Sequence, residues 1–208
     1  MSNNAPSRPL EILRIDSSSR YADSVSRHLT DHMVARLLQE YPEANVTTRD
    51  LAAGIPLPTE AFVEGSLYAM QNPTPTMQAA IQLSNEMVAE LLAADIVVLG
   101  LPVYNWTIPS TFKAYVDHIS RLGVTFGYIN GVRQGLLKAR SIYILFTSGG
   151  TAIGSENDFA TPYATYLWQT LGIQDVQIID ASGLLFNAEE ITQNAKTQID
   201  QLVLPVFA

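Results

Sequence analysis

The sequence predicts an α/β fold of the doubly wound kind, a five-stranded parallel sheet in the order 2-1-3-4-5 with helices on both faces. Three observations predict it. Short runs rich in Ile, Leu and Val alternate along the chain with longer stretches whose apolar residues recur at helical spacing. The run IVVLG at 96–100 is apolar without a break, as in a strand covered on both faces. With 208 residues, 47% of them hydrophobic and 15% charged, the chain holds enough apolar material for one sizeable core. One domain is therefore expected over 1–208, with inserted loops at about 53–76 and 123–139.

Residues 10–16 (LEILRID) read as the first strand. Residues 24–41 read as a helix with Val25, Leu29, Met33, Val34, Leu37 and Leu38 on its inner face and Ser24 as N-cap. Residues 45–50 (NVTTRD) form a short second strand. The stretch 53–76, rich in Pro and Gly, reads as an inserted loop holding one helical turn. Pro75 suits the first position of the next helix, whose core face carries Ile81, Met87, Val88, Leu91 and Leu92. After the third strand, a helix follows Pro109 with Phe112, Tyr115, Val116, Ile119 and Leu122 on one side. Four glycines between 123 and 138 mark a hairpin-like excursion. Residues 140–147 (RSIYILFT) are the fourth strand. Thr161-Pro162 opens a helix carrying Tyr163, Tyr166, Leu167 and Leu171, and 175–181 (DVQIIDA) is the fifth strand. Residues 187–203 are the last helix, with Asn187 and Glu190 at capping-box spacing.

Composition excludes several function classes. Twelve basic against twenty acidic residues give a formal charge of −8, which repels a phosphate backbone, so neither nucleic acid nor an anionic membrane is an expected partner. The absence of cysteine rules out disulfides, thiolate metal sites and a cysteine nucleophile. The opening MSNNAPSRP is polar and the longest apolar stretch, 96–103, is too short to span a bilayer, so a cytoplasmic location is expected. His28 and His32 stand four apart on the first helix without a His-Glu-x-x-His pattern and read as solvated, so no metal site is expected. No Gly-x-Ser-x-Gly elbow, Walker motif or Gly-x-Gly-x-x-Gly occurs.

In such a sheet, ligands bind beyond the carboxyl ends of the strands, where the strand order reverses. Three loops fall there. The first, SSSRYADSVS at 17–26, offers hydroxyls and free N–H groups at a helix start, as a phosphate requires without any lysine; its other reading is a capped polar turn. The second, LPVYNWTIP at 101–109, offers flat aromatic surface for a planar heterocycle, or an aromatic pair packed under a helix. The third, TSGGTAIG at 147–154, places two glycines where backbone can approach a ligand edge, or where a tight turn needs positive φ. Together the three have the shape of a flavin mononucleotide site.

These residues resemble the FMN-dependent NADH-azoreductases, also called FMN-dependent quinone reductases, of the flavodoxin-like superfamily. The resemblance runs from Leu10 to about Leu202. It is most specific in PVYNWTIPSTFKAYVDHISRLGVTFGY at 102–128, which matches the Pro-x-Tyr-Asn-Phe/Trp-x-x-Pro signature and the Gly-Val-Thr-Phe segment. TSGG and the T-P-Y-x-x-x-L-x-x-x-G-I pattern at 161–173 also fit. The resemblance implies non-covalent FMN, its phosphate held by Ser18 with Ser24, Val25 and Ser26. It implies that Val103, Tyr104, Asn105 and Trp106 hold the ring, with Thr147, Ser148, Gly149 and Gly150 at its edge. Phe126 and Tyr128 are implied to lie near the flavin and the incoming substrate, in a homodimer whose active site sits at the subunit interface. The implied activity is hydride transfer from NADH or NADPH through FMN to quinones and azo compounds by a ping-pong mechanism, with no side chain as nucleophile or acid–base group. A flavodoxin-like electron-transfer or flavin-binding module without its own NAD(P)H oxidation is the alternative, and it has no need of the aromatic excursion at Phe126 and Tyr128. Departures from the family pattern are Arg20 and Asp23 in the serine loop, Ser148 before the paired glycines and Thr151-Ala152-Ile153 after them; the 53–76 stretch does not align.

Overall fold

The structure is a computed structural model and describes residues 8–68 and 73–207. Five strands, β1 (Glu11–Asp16), β2 (Asn45–Asp50), β3 (Ile96–Pro102), β6 (Ser141–Ser148) and β7 (Asp175–Ser182), form one sheet in the order β2-β1-β3-β6-β7. Every neighbouring pair in it is parallel. β4 (Phe126–Ile129) and β5 (Val132–Gly135) make a separate antiparallel hairpin, so the sheet strands alone follow the expected 2-1-3-4-5 order.

The period of two along each strand builds two cores. Ile12, Ile96, Val98, Tyr143 and Leu145 face α1 (Val25–Glu40) and α6 (Leu184–Asp200), meeting Leu29, Met33 and Leu37. Leu13, Ile15, Val97, Leu99, Ile142 and Ile144 face the other way. There they pack against α3 (Pro75–Ala93), α4 (Ser110–Ile119) and α5 (Thr161–Leu171) through Met87, Phe112, Tyr115 and Trp168. β3 and β6 are buried at every position because helices cover both their faces, whereas β2, at the edge, is polar and mostly exposed. No helix among the described residues is long and apolar enough to cross a membrane.

Several expectations change. The 53–76 stretch follows a 3-10 turn at Leu51–Ala53 and holds the nine-residue helix α2 (Glu60–Tyr68), more than the single turn expected. Gly54, Pro56 and Pro58 conceal its start, which is marked by Thr59, whose Oγ1 accepts from the Phe62 N–H at 3.2 Å. Phe62 then packs edge-on against the buried His118, whose Nε2 lies 2.8 Å from the Pro56 carbonyl. A carbonyl only accepts, so that nitrogen carries the proton, and the pair fastens the insert to α4. Leu92, Leu122 and Tyr166, expected on core faces, are exposed, and α4 ends before Leu122. At α6 the capping box forms as expected, Glu190 N–H donating to Asn187 Oδ1 at 3.2 Å, but Asn187 is a non-helical break after an extra turn at 184–186.

The hairpin docks on the end of α5 by backbone contact: a Cβ built on Gly135 would lie 2.1 Å from Gly172 N, while one on Gly127 meets only Leu136 Cδ1 at 3.9 Å. Gly135→Ala is therefore expected to destabilise the protein by about 3 kcal/mol in urea unfolding, and Gly127→Ala by less than about 1 kcal/mol. Equal effects would show that the hairpin does not rest on that contact.

Candidate functional site

β1 has β2 on one side and β3 on the other, so the crossovers leaving β1 and β3 diverge and open a crevice at their carboxyl ends. The first loop is tied to it by Ser17, whose N–H and Oγ both donate to the Gly100 carbonyl, at 3.3 and 2.6 Å. Ser24 occupies the N-cap position of α1 but makes no capping bond. Its hydroxyl donates instead to Ser18 Oγ at 3.0 Å and lies 3.3 Å from Ser26 Oγ. Ser18 Oγ also accepts from the Arg20 N–H at 3.2 Å and stands 3.1 Å from the Tyr104 hydroxyl. Three buried hydroxyls thus bond to one another beside a helix start that has no side-chain cap and no acidic residue in its first turn. That is a surplus of donors aimed at one place, the requirement of a phosphate.

The second loop is a two-residue turn. Tyr104 and Thr107 exchange backbone hydrogen bonds of 2.9 and 3.2 Å around Asn105 and Trp106, with φ of +47° and +71°. Positive φ at both central residues is the pattern of a type I′ turn. Asn tolerates it; Trp does not, and the strain amounts to about 1–2 kcal/mol. Trp106 recovers little of it by packing, being 67% exposed. The third loop continues the ladder, the Val103 N–H donating to the Thr147 carbonyl at 2.8 Å. Neither Gly149 nor Gly150 has positive φ. Gly149 lies close to α6: a Cβ there would lie 3.0 Å from Cδ1 of the exposed Leu185, whose N–H donates to the Gly149 carbonyl at 3.0 Å. At Gly150 the nearest atom, on Phe186, would be 3.9 Å away.

Most of the predicted residues meet in one cavity of about 380 Å³. Ser18, Ser24, Val25 and Ser26 line it from the first loop, Val103 and Tyr104 from the second, and Thr147, Ser148 and Gly149 from the third. Asn105 lines a second, more apolar cavity of about 680 Å³, and Tyr104 borders both. Trp106 and Gly150 line neither, and Phe126 and Tyr128 lie apart on the hairpin. Missed from sequence were Leu184, Leu185 and Ala188, which close the first cavity, and Leu57, Phe159 and Tyr163, which wall the second. Leu184 and Leu185 stand on the extra turn of α6, Tyr163 on α5, and Leu57 and Phe159 in segments preceding α2 and α5, none within a motif that would have marked them. The two departures of the serine loop, Arg20 and Asp23, both line the phosphate end of the cavity, one charge of each sign.

The third loop is braced by Asp158, 5% exposed, which accepts from the N–H groups of Gly154 (2.9 Å), Ala160 (3.1 Å) and Thr161 (3.0 Å) and from the Thr161 hydroxyl. Burial alone would raise its pKa; the hydrogen bonds from Thr161, Gly154 and Ala160 outweigh that and hold the carboxyl below the ordinary carboxylate range.

A profile described as the flavodoxin-like fold matches residues 11–203. An FMN-dependent NADH:quinone oxidoreductase 1 of Jannaschia sp. (strain CCS1) is 41% identical over 191 residues, covering 92% of this chain and 97% of the relative. An FMN-dependent NADH:quinone oxidoreductase of Bordetella avium (strain 197N) is 40% identical over 191 residues, 89% of this chain and 93% of the relative. Among solved structures, an FMN-dependent NADH-azoreductase from Bacillus anthracis str. Ames Ancestor in complex with FMN is similar at a TM-score of 0.81 and 23% identity, covering 92% of this chain and 96% of that one.

Asp158→Asn is expected to cost about 1–2 kcal/mol at neutral pH. Because the folded pKa lies below the unfolded value of about 4, the wild-type advantage is full above that value and fades as pH falls through the lower one. Urea unfolding at both pH values checks this; an unchanged difference would contradict it. Trp106→Gly, which relieves the turn at a similar cost in chain entropy, is expected to leave unfolding free energy within about 1 kcal/mol of wild type. A much larger loss would mean that Trp106 supports the apoprotein.

Proposed function

The chain belongs to the flavodoxin-like fold family, and on that premise we propose that it is an FMN-dependent NADH:quinone oxidoreductase working as a homodimer. One observation carries the reading: three carboxyl-edge loops converge on a single cavity whose phosphate end is built of buried serine hydroxyls and an uncapped helix start. The curated relatives, matched over nearly their whole length, supply the cofactor, donor and acceptor class.

Bound FMN supplies two-electron redox chemistry between a reduced nicotinamide and a quinone. The protein binds and orients. Ser18, Ser24 and Ser26, with the first N–H groups of α1, hold the phosphate in the helix dipole. Val103, Tyr104, Thr147, Ser148 and Gly149 would hold the rest of the cofactor beyond the carboxyl ends of β3 and β6. Asn105 and Trp106, fixed by their strained turn, would offer polar and flat surface toward the ring, and backbone N–H dipoles near its edge would stabilise the negative charge of the reduced cofactor. No side chain is needed as nucleophile or general acid. The second cavity, sharing Tyr104 with the first, takes donor and acceptor in turn, which makes the kinetics ping-pong. Azo compounds fit the same planar, electron-accepting description.

The dimer follows from exposed apolar surface. Leu57 and Phe159, lining the second cavity, are 75% and 59% exposed, Trp106 in the second loop is 67% exposed, and Tyr128, Ile129 and Val132 are 61%, 52% and 64% exposed on the hairpin. Exposed apolar side chains in such number support an interaction surface there. A second copy would cover it and bring an aromatic hairpin, with Phe126 and Tyr128, toward the neighbouring site. A cytoplasmic location goes with this activity, where NADH is supplied.

The purified protein is expected to bind FMN, to lose its flavin absorbance on anaerobic addition of NADH, and to regain it with benzoquinone. Steady-state turnover is expected to give parallel reciprocal plots. Negligible NADH oxidation without a separate reductase would make it an electron carrier instead. Tyr128→Ala is expected to lower kcat/KM for the quinone by about tenfold, the loss of roughly one aromatic contact, while FMN affinity stays unchanged. An equal fall in FMN affinity would place Tyr128 in the cofactor site itself.

A further inference from the structure

Arg27 sits in the first turn of α1, where the helix dipole disfavours a cation, and its side chain is only 11% exposed. Its contacts explain the placement. Nε donates to the Arg20 carbonyl at 2.9 Å, and Nη2 donates to the Ser18 carbonyl at 2.8 Å. Nη2 and Nη1 grip the two oxygens of Asp50, at the end of β2, at 2.7 and 3.1 Å. Nη1 also lies 3.6 Å from the buried Asp16, and the guanidinium stacks 4.6 Å from the Tyr21 ring centroid. Asp50 is fixed in turn: burial would raise its pKa, but Arg27 and the Ala52 N–H outweigh that and keep it charged.

The two carbonyls are those of the serine loop itself. A peptide that gives its carbonyl to one side presents its N–H roughly to the other. Holding the carbonyls of Ser18 and Arg20 therefore orients the N–H groups of Ser19 and Tyr21. It also sets the Ser18 side chain into the cavity, where Ser18 Oγ collects Ser24 and the Arg20 N–H. The Ser19 N–H bonds to the Tyr104 hydroxyl at 3.1 Å, which borders the same cavity.

We infer that Arg27, locked by Asp50, is a positioning residue for the cofactor phosphate: its fork turns the loop carbonyls away so that the hydroxyls and N–H groups of residues 18–26 face the anion. The inference rests on FMN being the cofactor. It requires the guanidinium shape and not merely a positive charge, because one ammonium cannot serve two carbonyls and a bidentate carboxylate together.

The test compares binding of FMN with binding of riboflavin, which lacks the phosphate, by quenching of flavin fluorescence on the apoprotein. Wild type, Arg27→Lys, Arg27→Gln and Asp50→Asn are measured, with thermal unfolding of each apoprotein alongside. Both Arg27 variants are expected to lose FMN affinity by at least about tenfold, the equivalent of one charge-assisted hydrogen bond, with riboflavin affinity unchanged and Asp50→Asn following in the same direction. Should Arg27→Gln fail to fold, Arg27→Lys still decides. Wild-type FMN affinity in Arg27→Lys would overturn the inference in favour of simple charge. Parallel losses for FMN and riboflavin would overturn it in favour of a purely structural role. Absence of FMN binding by the wild type would instead overturn the functional reading itself, and this inference with it.

Discussion

Ser24 stands where a capping side chain belongs, and its hydroxyl turns away to Ser18. An Ncap serine that caps contributes about 1 kcal/mol to its helix, so leaving α1 open forgoes that stabilisation. The hydroxyls of Ser18, Ser24 and Ser26 are buried and bond to one another, with Tyr104 and the Arg20 N–H at Ser18. Such an arrangement has a use when an anion completes it, because helix N–H groups, hydroxyls and dipole then act together in a partly dry crevice. The strongly negative chain can hold a phosphate there because the attraction is local, spanning a few ångströms within the field of an otherwise acidic surface.

The rest of the fold serves that opening. Strand reversal at β1 makes the crevice, and burial of β3 and β6 on both faces makes its floor rigid. Rigidity matters at the second loop, where a strained turn holds Asn105 and Trp106 between short backbone hydrogen bonds. The extra turn of α6 presses Leu185 onto Gly149, so the third loop is positioned by a helix that begins thirty-odd residues later in the chain. The Asp158 carboxylate fixes the far end of the same loop to α5.

The sheet order, the five strands and nearly all helix positions were legible because the signals are local: period-two alternation, apolar runs and Pro or Asn at helix starts. The serine, aromatic and glycine loops were legible for the same reason, each being a short contiguous string. What escaped reading depends on contacts distant in sequence. α2 hid behind Pro56 and Pro58, although Thr59 and the spacing to Phe62 mark its start. Nothing in the sequence singles out Arg27, since its partner Asp50 lies on β2, 23 residues away. Gly149 reads either as backbone approaching a ligand edge or as a turn needing positive φ; its φ is not positive, and its closest neighbour is Leu185, which is distant in sequence. Phe126 and Tyr128, though they form a short contiguous string, lie on the hairpin and line neither cavity.

The central claim is that the anionic end of the cofactor is received by the N–H groups and hydroxyls of residues 18–26. Backbone amide NMR shifts of the apoprotein, followed as FMN and then riboflavin are added, test it most directly. The account predicts large downfield movements at Ser18, Ser19, Val25 and Ser26 with FMN that riboflavin does not reproduce. Identical spectra with the two flavins, or phosphate-dependent movements confined to another part of the chain, would contradict it.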